Sequence, residues 1–203
     1  MVKRLTVGSC GAVLVLGLLV AGCTPEPVPG SSPSPTPAVS SSAPSPSPTP
    51  TPTENAQERQ QRLDFEAAEK AYLTAFAESG RLAVAGGTNK PTKIMLANTG
   101  GFYLKVQLND LKVLKENGWR ADRPSSSSVV ADGGWSPDEL GLTACEDGSK
   151  VKIVNEQGKE VAKDRPMRFV QTLTATRRGG GWKITDVKSK AVKDFASESG
   201  CTS

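Results

Sequence analysis

The chain has 203 residues, with 15 prolines, four cysteines, no histidine and a formal net charge of +4. Without histidine, the usual general base of a nucleophilic triad is missing, and a metal site would have to be assembled from cysteines and carboxylates alone. The small excess of positive charge leaves no electrostatic footprint for nucleic acid.

The first element runs from Met1 to Gly22, where Lys3 and Arg4 precede an uncharged apolar stretch that ends in small residues. This is the layout of an export signal. A transmembrane span competes with it, because residues 5–22 approach the minimum length for crossing a bilayer. The end of the stretch favours export: Val20-Ala21-Gly22-Cys23 resembles the lipobox of bacterial lipoproteins, with Val where Leu is commoner at its first position. In that motif the thiol receives a diacylglyceryl group and a peptidase then cuts just before it. The small residues let the backbone enter a narrow protease site, and only a thiol can become the thioether. The resemblance implies that residues 1–22 are removed, that Cys23 is lipidated with palmitate-type chains, and that the protein sits on the extracytoplasmic face of the cell membrane. Each buried methylene contributes about 0.8 kcal/mol and stable attachment takes two chains, a condition that one diacylglyceryl group meets.

Residues 23–53 form the next unit, the lipidation site followed by a linker. From Thr24 to Thr53, 24 of 30 residues are Pro, Ser or Thr. Such a composition cannot bury a core and is expected to be disordered; proline favours extended polyproline II, about 3.1 Å per residue, so the tract is a spacer. Its length and composition after a lipobox resemble exported actinobacterial lipoproteins.

Residues 54–203 hold all ten aromatic residues and are expected to form one domain. Phe65, Ala68, Tyr72 and Phe76 recur at helical spacing, and Ser79-Gly80 and Gly86-Gly87 are expected to close that helix. The type of Pro91–Ala97 is left open. Leu104, Leu108, Leu111 and Leu114 define a second helix that Asn117-Gly118 stops. Thereafter alternation replaces the helical period. Ser127–Ala131 is expected as a strand. Leu140, Leu142 and Ala144 alternate in the next, and Lys150–Val154 should pair with Lys159–Val161 as a short hairpin. Met167–Arg177 and Trp182–Lys190 should pair across Gly179-Gly180-Gly181.

Helices followed by strands give an α+β fold, with N-terminal helices packed on a curved antiparallel sheet. This order, together with Asn117-Gly118-Trp119, Thr143-Ala144-Cys145-Glu146-Asp147, Val151–Gly158 as a hairpin and the final strand Gly181-Trp182-Lys183-Ile184-Thr185-Asp186-Val187, resembles small actinobacterial lipoproteins with an NTF2-like cone. The resemblance implies a pocket between sheet and helices, used in that superfamily for steroid-like substrates, protein partners or nothing known.

With Cys10 removed in the signal and Cys23 lipidated, Cys145 and Cys201 remain in an exported domain and are expected to form a disulfide. With no His and two Cys, no metal and no cofactor are expected. Gly86-Gly87-Thr88-Asn89-Lys90 lacks the order of a phosphate loop and is expected as a turn, and Arg177-Arg178-Gly179-Gly180-Gly181 as a hairpin tip. No catalytic residue is assigned. The expected function is a non-catalytic, membrane-anchored domain that binds an envelope protein or an apolar ligand. The alternative is a small-molecule isomerase or dehydratase using a buried Asp. For that chemistry Tyr72, Tyr103, Asp110 and Asp186 are the candidates, although Tyr72 is expected in the core and both aspartates in solvent. Trp119 and Trp135 mark either an exposed aromatic patch or, for Trp135, a cap on the core.

Overall fold

The first helix, α1 (Ala56–Val84), begins where Asn55 Oδ1 accepts from the Glu58 amide and Glu58 Oε2 accepts from the Asn55 amide, both at 2.9 Å. This reciprocal cap satisfies two of the N–H groups that a helix start leaves free. The computed structural model describes residues 54–203 apart from Asp132, Ser197, Ser199, Gly200, Thr202 and Ser203. The signal segment, the lipobox with Cys23 and the linker thus lie outside the described residues.

Helix α1 buries Asp64, Ala68, Ala71, Tyr72, Ala75, Glu78 and Leu82 along one stripe, and its alanines allow close approach to the sheet. Contrary to the sequence expectation, it does not end at Ser79-Gly80. Glu78 and Leu82 carry the buried stripe past that point, so packing overrides the local helix-breaking tendency. Gly80 serves a different purpose: a methyl there would come within 3.0 Å of Pro124 Cβ. At Gly86-Gly87-Thr88 the chain turns, as expected. Gly87 has a φ of +81°, and any Cβ on it would run into the Leu111 carbonyl, while Thr88 N–H donates to that same carbonyl at 3.2 Å.

The segment left open in the sequence is a short helix, α2 (Lys93–Asn98), capped by Thr92. It places Met95 in a small apolar cluster with Leu82 and Leu111. Helix α3 (Gly101–Asn117) follows and stops at Gly118 in the left-handed region, as expected.

The strands are β1 (Arg120–Ala121), β2 (Ser126–Val130), β3 (Glu139–Asp147), β4 (Ile153–Val154), β5 (Arg168–Arg178) and β6 (Gly181–Val192). Strands β2-β3-β5-β6 make an antiparallel sheet in that order, with an irregularity at Thr174/Ala175. The helices pack on this sheet, so the architecture is the expected α+β arrangement. Leu142, Leu173 and Val187 stand side by side across it. With Leu140, Ala144, Ala175, Trp182 and Ile184 they meet Ala68, Tyr72 and Tyr103 from the helices, forming the main core.

The hairpin expected after Lys150 is smaller than the sequence suggests. Val154 bridges Glu160, but the Asn155 side chain accepts from the Gln157 and Lys159 amides at 3.1 and 2.9 Å. That local turn ends the ladder early. Strand β4 takes β1 as its main partner instead, with Ala121 opposite Ile153.

Successive residues of a strand face opposite sides of a sheet, so Cys145 lies on the face away from Ala144 and Glu146. There it forms the expected disulfide with Cys201, their Cα atoms 5.7 Å apart. Both cysteines are buried.

Candidate functional site

Two polar constellations interrupt the apolar interior. The first centres on Asp64, one helical turn before Ala68. Its Oδ1 accepts from Gln60 Nε2 at 3.0 Å, from Trp182 Nε1 at 3.2 Å and from Arg177 Nη2; its Oδ2 accepts from Trp135 Nε1 at 3.2 Å. The Arg177 guanidinium also lies 4.6 Å from the centre of the Trp182 ring. Burial alone would raise the Asp64 pKa, but hydrogen bonds from Arg177, Trp182, Trp135 and Gln60 outweigh it and hold the carboxyl below its usual range. With its acceptor positions occupied, this carboxylate ties α1 to the β5–β6 hairpin and to the loop carrying Trp135. Trp135 therefore caps the core, and both it and Trp119 are half-buried rather than part of an exposed patch.

The second constellation surrounds a half-enclosed cavity of about 590 Å³ between α1, α3 and the inner face of the sheet. Phe76, Val106, Leu111, Leu114 and Phe169 supply apolar walls, and the β1–β4 pair adds Ala121 and Ile153. Glu146 enters it from β3. Its Oε1 accepts from Ser125 Oγ and its Oε2 from Gln171 Nε2, both at 3.1 Å. Gln171 Oε1 in turn accepts from the Tyr72 hydroxyl at 3.3 Å. Burial pushes the Glu146 carboxyl above its ordinary range; Asp110 adds to that push, while the Ser125 hydrogen bond and the Arg165 charge offset part of it. Asp110, at the exposed rim, is raised by burial against the surrounding protein. Burial also raises both tyrosine hydroxyls, Tyr103 strongly.

Three buried side-chain atoms lack a hydrogen-bond partner among the described residues: Ser79 Oγ, Gln107 Oε1 and Arg165 Nε. They come from α1, α3 and the loop before β5, and all three residues line this one cavity. A second hollow, about 700 Å³ on the outer flank of α1, is more open, and its Glu66 and Glu78 are already paired with Arg62 and Arg81.

Of the four residues singled out for acid–base chemistry, the structure brings Tyr72 and Tyr103 together, their ring centres 6.4 Å apart. Tyr72 belongs to the core, as expected, and Tyr103 and Asp110 line the cavity. Asp186 is exposed and accepts from the Val187 amide, away from the cavity. The carboxyl that does enter, Glu146, was not singled out, although its place was available in the sequence. Alternation puts Leu140, Leu142 and Ala144 inward, and 146 is the next position on that face. Ser79, Gln107 and Arg165 carry no such signal, because their convergence depends on how α1, α3 and a loop meet. Among the described residues no helix is long and apolar enough to cross a membrane, and no group of three or more His, Cys, Asp or Glu is placed to hold a metal ion.

No protein-family model and no curated protein matches the chain. Among solved structures it is similar to the intermembrane space region of the chloroplast protein ARC6, at 13% identity over 70% of this chain and 100% of that one, with a TM-score of 0.41. It is also similar to a protein from Kribbella flavida, at 13% identity over 64% and 91%, TM-score 0.36. A third is an NTF2-like protein with a cystatin-like fold from Novosphingobium aromaticivorans, at 12% identity over 71% and 95%, TM-score 0.35.

Proposed function

We propose that the chain is a bacterial lipoprotein, held by a diacylglyceryl group on Cys23 at the outer face of the cytoplasmic membrane. Its NTF2-like domain holds a small, mostly apolar molecule in the cavity without transforming it. The observation that carries the binding role is the half-enclosed cavity between α1, α3 and the sheet, whose walls are largely apolar and into which Glu146 brings one hydrogen-bonded carboxyl. A volume of about 590 Å³ with largely apolar walls falls within the range of small-molecule sites. The Cys145–Cys201 bond supports export, since disulfides persist in oxidising compartments.

Two measurements test this. Gentle purification of the full chain from membranes, followed by release and mass analysis of bound small molecules, is expected to yield a discrete species. Val106→Trp, which fills the cavity, should reduce its recovery by about tenfold while the protein still unfolds cooperatively. An equal yield from the filled cavity would count against the binding role. For the anchor, Cys23→Ser is expected to leave an unacylated, uncleaved precursor, and normal processing of that variant would refute lipidation at Cys23.

One observation favours catalysis as a second reading: the raised Glu146 carboxyl is linked through Gln171 to the Tyr72 hydroxyl. The acid of such an isomerase or dehydratase would be Glu146, where the sequence suggested an Asp. The released molecule distinguishes the two readings. Under the favoured one it emerges unchanged after incubation with the protein, whereas a displaced double bond or loss of water would establish turnover.

A further inference from the structure

We infer that the surface formed by α2 and the first turn of α3 lies against anionic phospholipid, so that the domain docks on the membrane that holds its anchor. This docking rests on the lipid attachment at Cys23 proposed above and adds a second contact, made by the folded domain.

Among the described residues five large apolar side chains are exposed, and three of them, Ile94, Leu96 and Phe102, fall within nine consecutive positions. Single exposed apolar residues are ordinary, whereas a cluster marks a contact surface. The backbone beneath this cluster is fixed. Met95 is buried between Ile94 and Leu96, the Leu96 carbonyl accepts from Lys183 Nζ at 2.7 Å, and the Gly100 amide donates to the Ile184 carbonyl at 2.9 Å. Strand β6 thus holds the end of α2 and the start of α3 in place while the three apolar side chains stay outside.

The charge of this segment has one sign. Between Glu78 and Asp110 the sequence contains no acidic residue, but it contains Arg81, Lys90, Lys93 and Lys105. The three lysines are exposed, and the lysines engaged in ion pairs among the described residues are Lys112 and Lys190. Across the hollow on the flank of α1, which Ile94 also lines, Glu66 and Glu78 are paired with Arg62 and Arg81, and Glu69 is accompanied by Lys70. Apolar side chains among ammonium groups match the interface of an anionic bilayer, where hydrocarbon receives the former and phosphates the latter. A second copy docked through the same face would set lysine against lysine.

The length of the linker permits the contact. Ile94 shares its hollow with Leu73 and Ala77, which lie roughly 25–30 Å along α1 from Ala56 at 1.5 Å per residue. The 30 residues from Thr24 to Thr53 can reach roughly 90 Å as extended polyproline II. Attachment also keeps the domain at a high effective concentration beside the bilayer, so a weak contact suffices.

The test uses the full chain, acylated at Cys23, in nanodiscs of phosphatidylcholine alone or mixed with phosphatidylglycerol. Ala97→Cys, at an exposed position of α2, carries an environment-sensitive dye, and a nitroxide lipid supplies a quencher at the bilayer surface. Strong quenching is expected in the anionic discs and little in the neutral ones. With about a fivefold change in the docked-to-free ratio for each lysine on an anionic surface, Lys93→Gln with Lys105→Gln should lower that ratio about twentyfold. Leu96→Ser with Phe102→Ser should lower it about tenfold. All four side chains are exposed, so the unfolding temperature should stay within a few degrees of the parent. Equal quenching in both kinds of disc, or none in either while the Cys23 peptide keeps its acyl mass, would overturn the docking and leave the anchor standing. A dye shielded from water without lipid quenching would place a protein or a second copy on this surface and would overturn it as well. Absence of the acyl group would refute the anchor and the docking with it.

Discussion

Replacing Asp64 by Ala is expected to destabilise the domain by about 3–5 kcal/mol, the combined cost of orphaning two indole N–H groups and breaking a half-exposed ion pair. At about 150 residues this corresponds to a fall in unfolding temperature on the order of 10 °C. The size follows from the number of donors on one carboxylate. Trp182 is buried and Trp135 half-buried, so their indole N–H groups lose their acceptor with little access to water. An orphaned donor of this kind costs about 1–3 kcal/mol. Arg177 is partly exposed and recovers some hydration, so its share is smaller. Asp64→Asn keeps one acceptor oxygen and should cost less than Ala. Denaturant unfolding of the three proteins measures this order, and a loss below about 1 kcal/mol for Ala would show that the donors find other partners.

The same group makes stability depend on pH in a defined direction. The Asp64 pKa is lower in the folded chain than that of a free aspartate. Between the folded and unfolded values the unfolded chain binds more protons, so stability rises with pH across that window. The contribution is complete above the unfolded value, about 3.9, and is lost as pH falls through the folded one. Asp64→Asn should therefore flatten the stability curve below about pH 4 and leave its slope near neutrality unchanged.

Asp64 also shows where the sequence is informative. Helix α1 and the inward positions of β3 follow from periodicity, because burial imposes the same period on every residue of a face. That logic extends one step further than apolar residues alone suggest. Asp64 lies one turn from Ala68 on the same stripe, and Glu146 is the inward position after Ala144, so both polar centres occupy slots that the pattern marks as interior. What the pattern does not mark is the partner. Arg177 reads as the charged side of a glycine-rich hairpin tip, and only the sheet register brings it to a helix 113 residues earlier. The β1–β4 pair fails for a related reason: two strands of two residues each have too little alternation to be seen. Their pairing is set by the long-range packing that also closes the cavity. The cavity itself belongs to no single segment, so its residues become visible only when α1, α3 and the sheet are assembled.

Removing the Cys145–Cys201 bond should have the second large effect, and it should be separable from the cavity. The bond closes a segment with a sequence separation of 56 residues, for which loop-closure entropy predicts a stabilisation of about 4 kcal/mol. Cys145 points away from the inner face, so its bond holds the C-terminal segment against the outer side of the sheet. There Lys190 Nζ donates to Glu198 Oε1 at 2.9 Å. Non-reducing peptide mapping should recover residues 145 and 201 in one linked species, and a reductant should lower the denaturant midpoint. The double variant Cys145→Ser, Cys201→Ser should start from that lower midpoint and ignore reductant. Ligand recovered from the double variant should match that from the parent at temperatures where both are folded, because Glu146, Gln171 and Phe169 face the other way. A midpoint unaffected by reductant would mean that the bond constrains little, whereas loss of ligand from a folded double variant would mean that the outer face and the cavity are coupled.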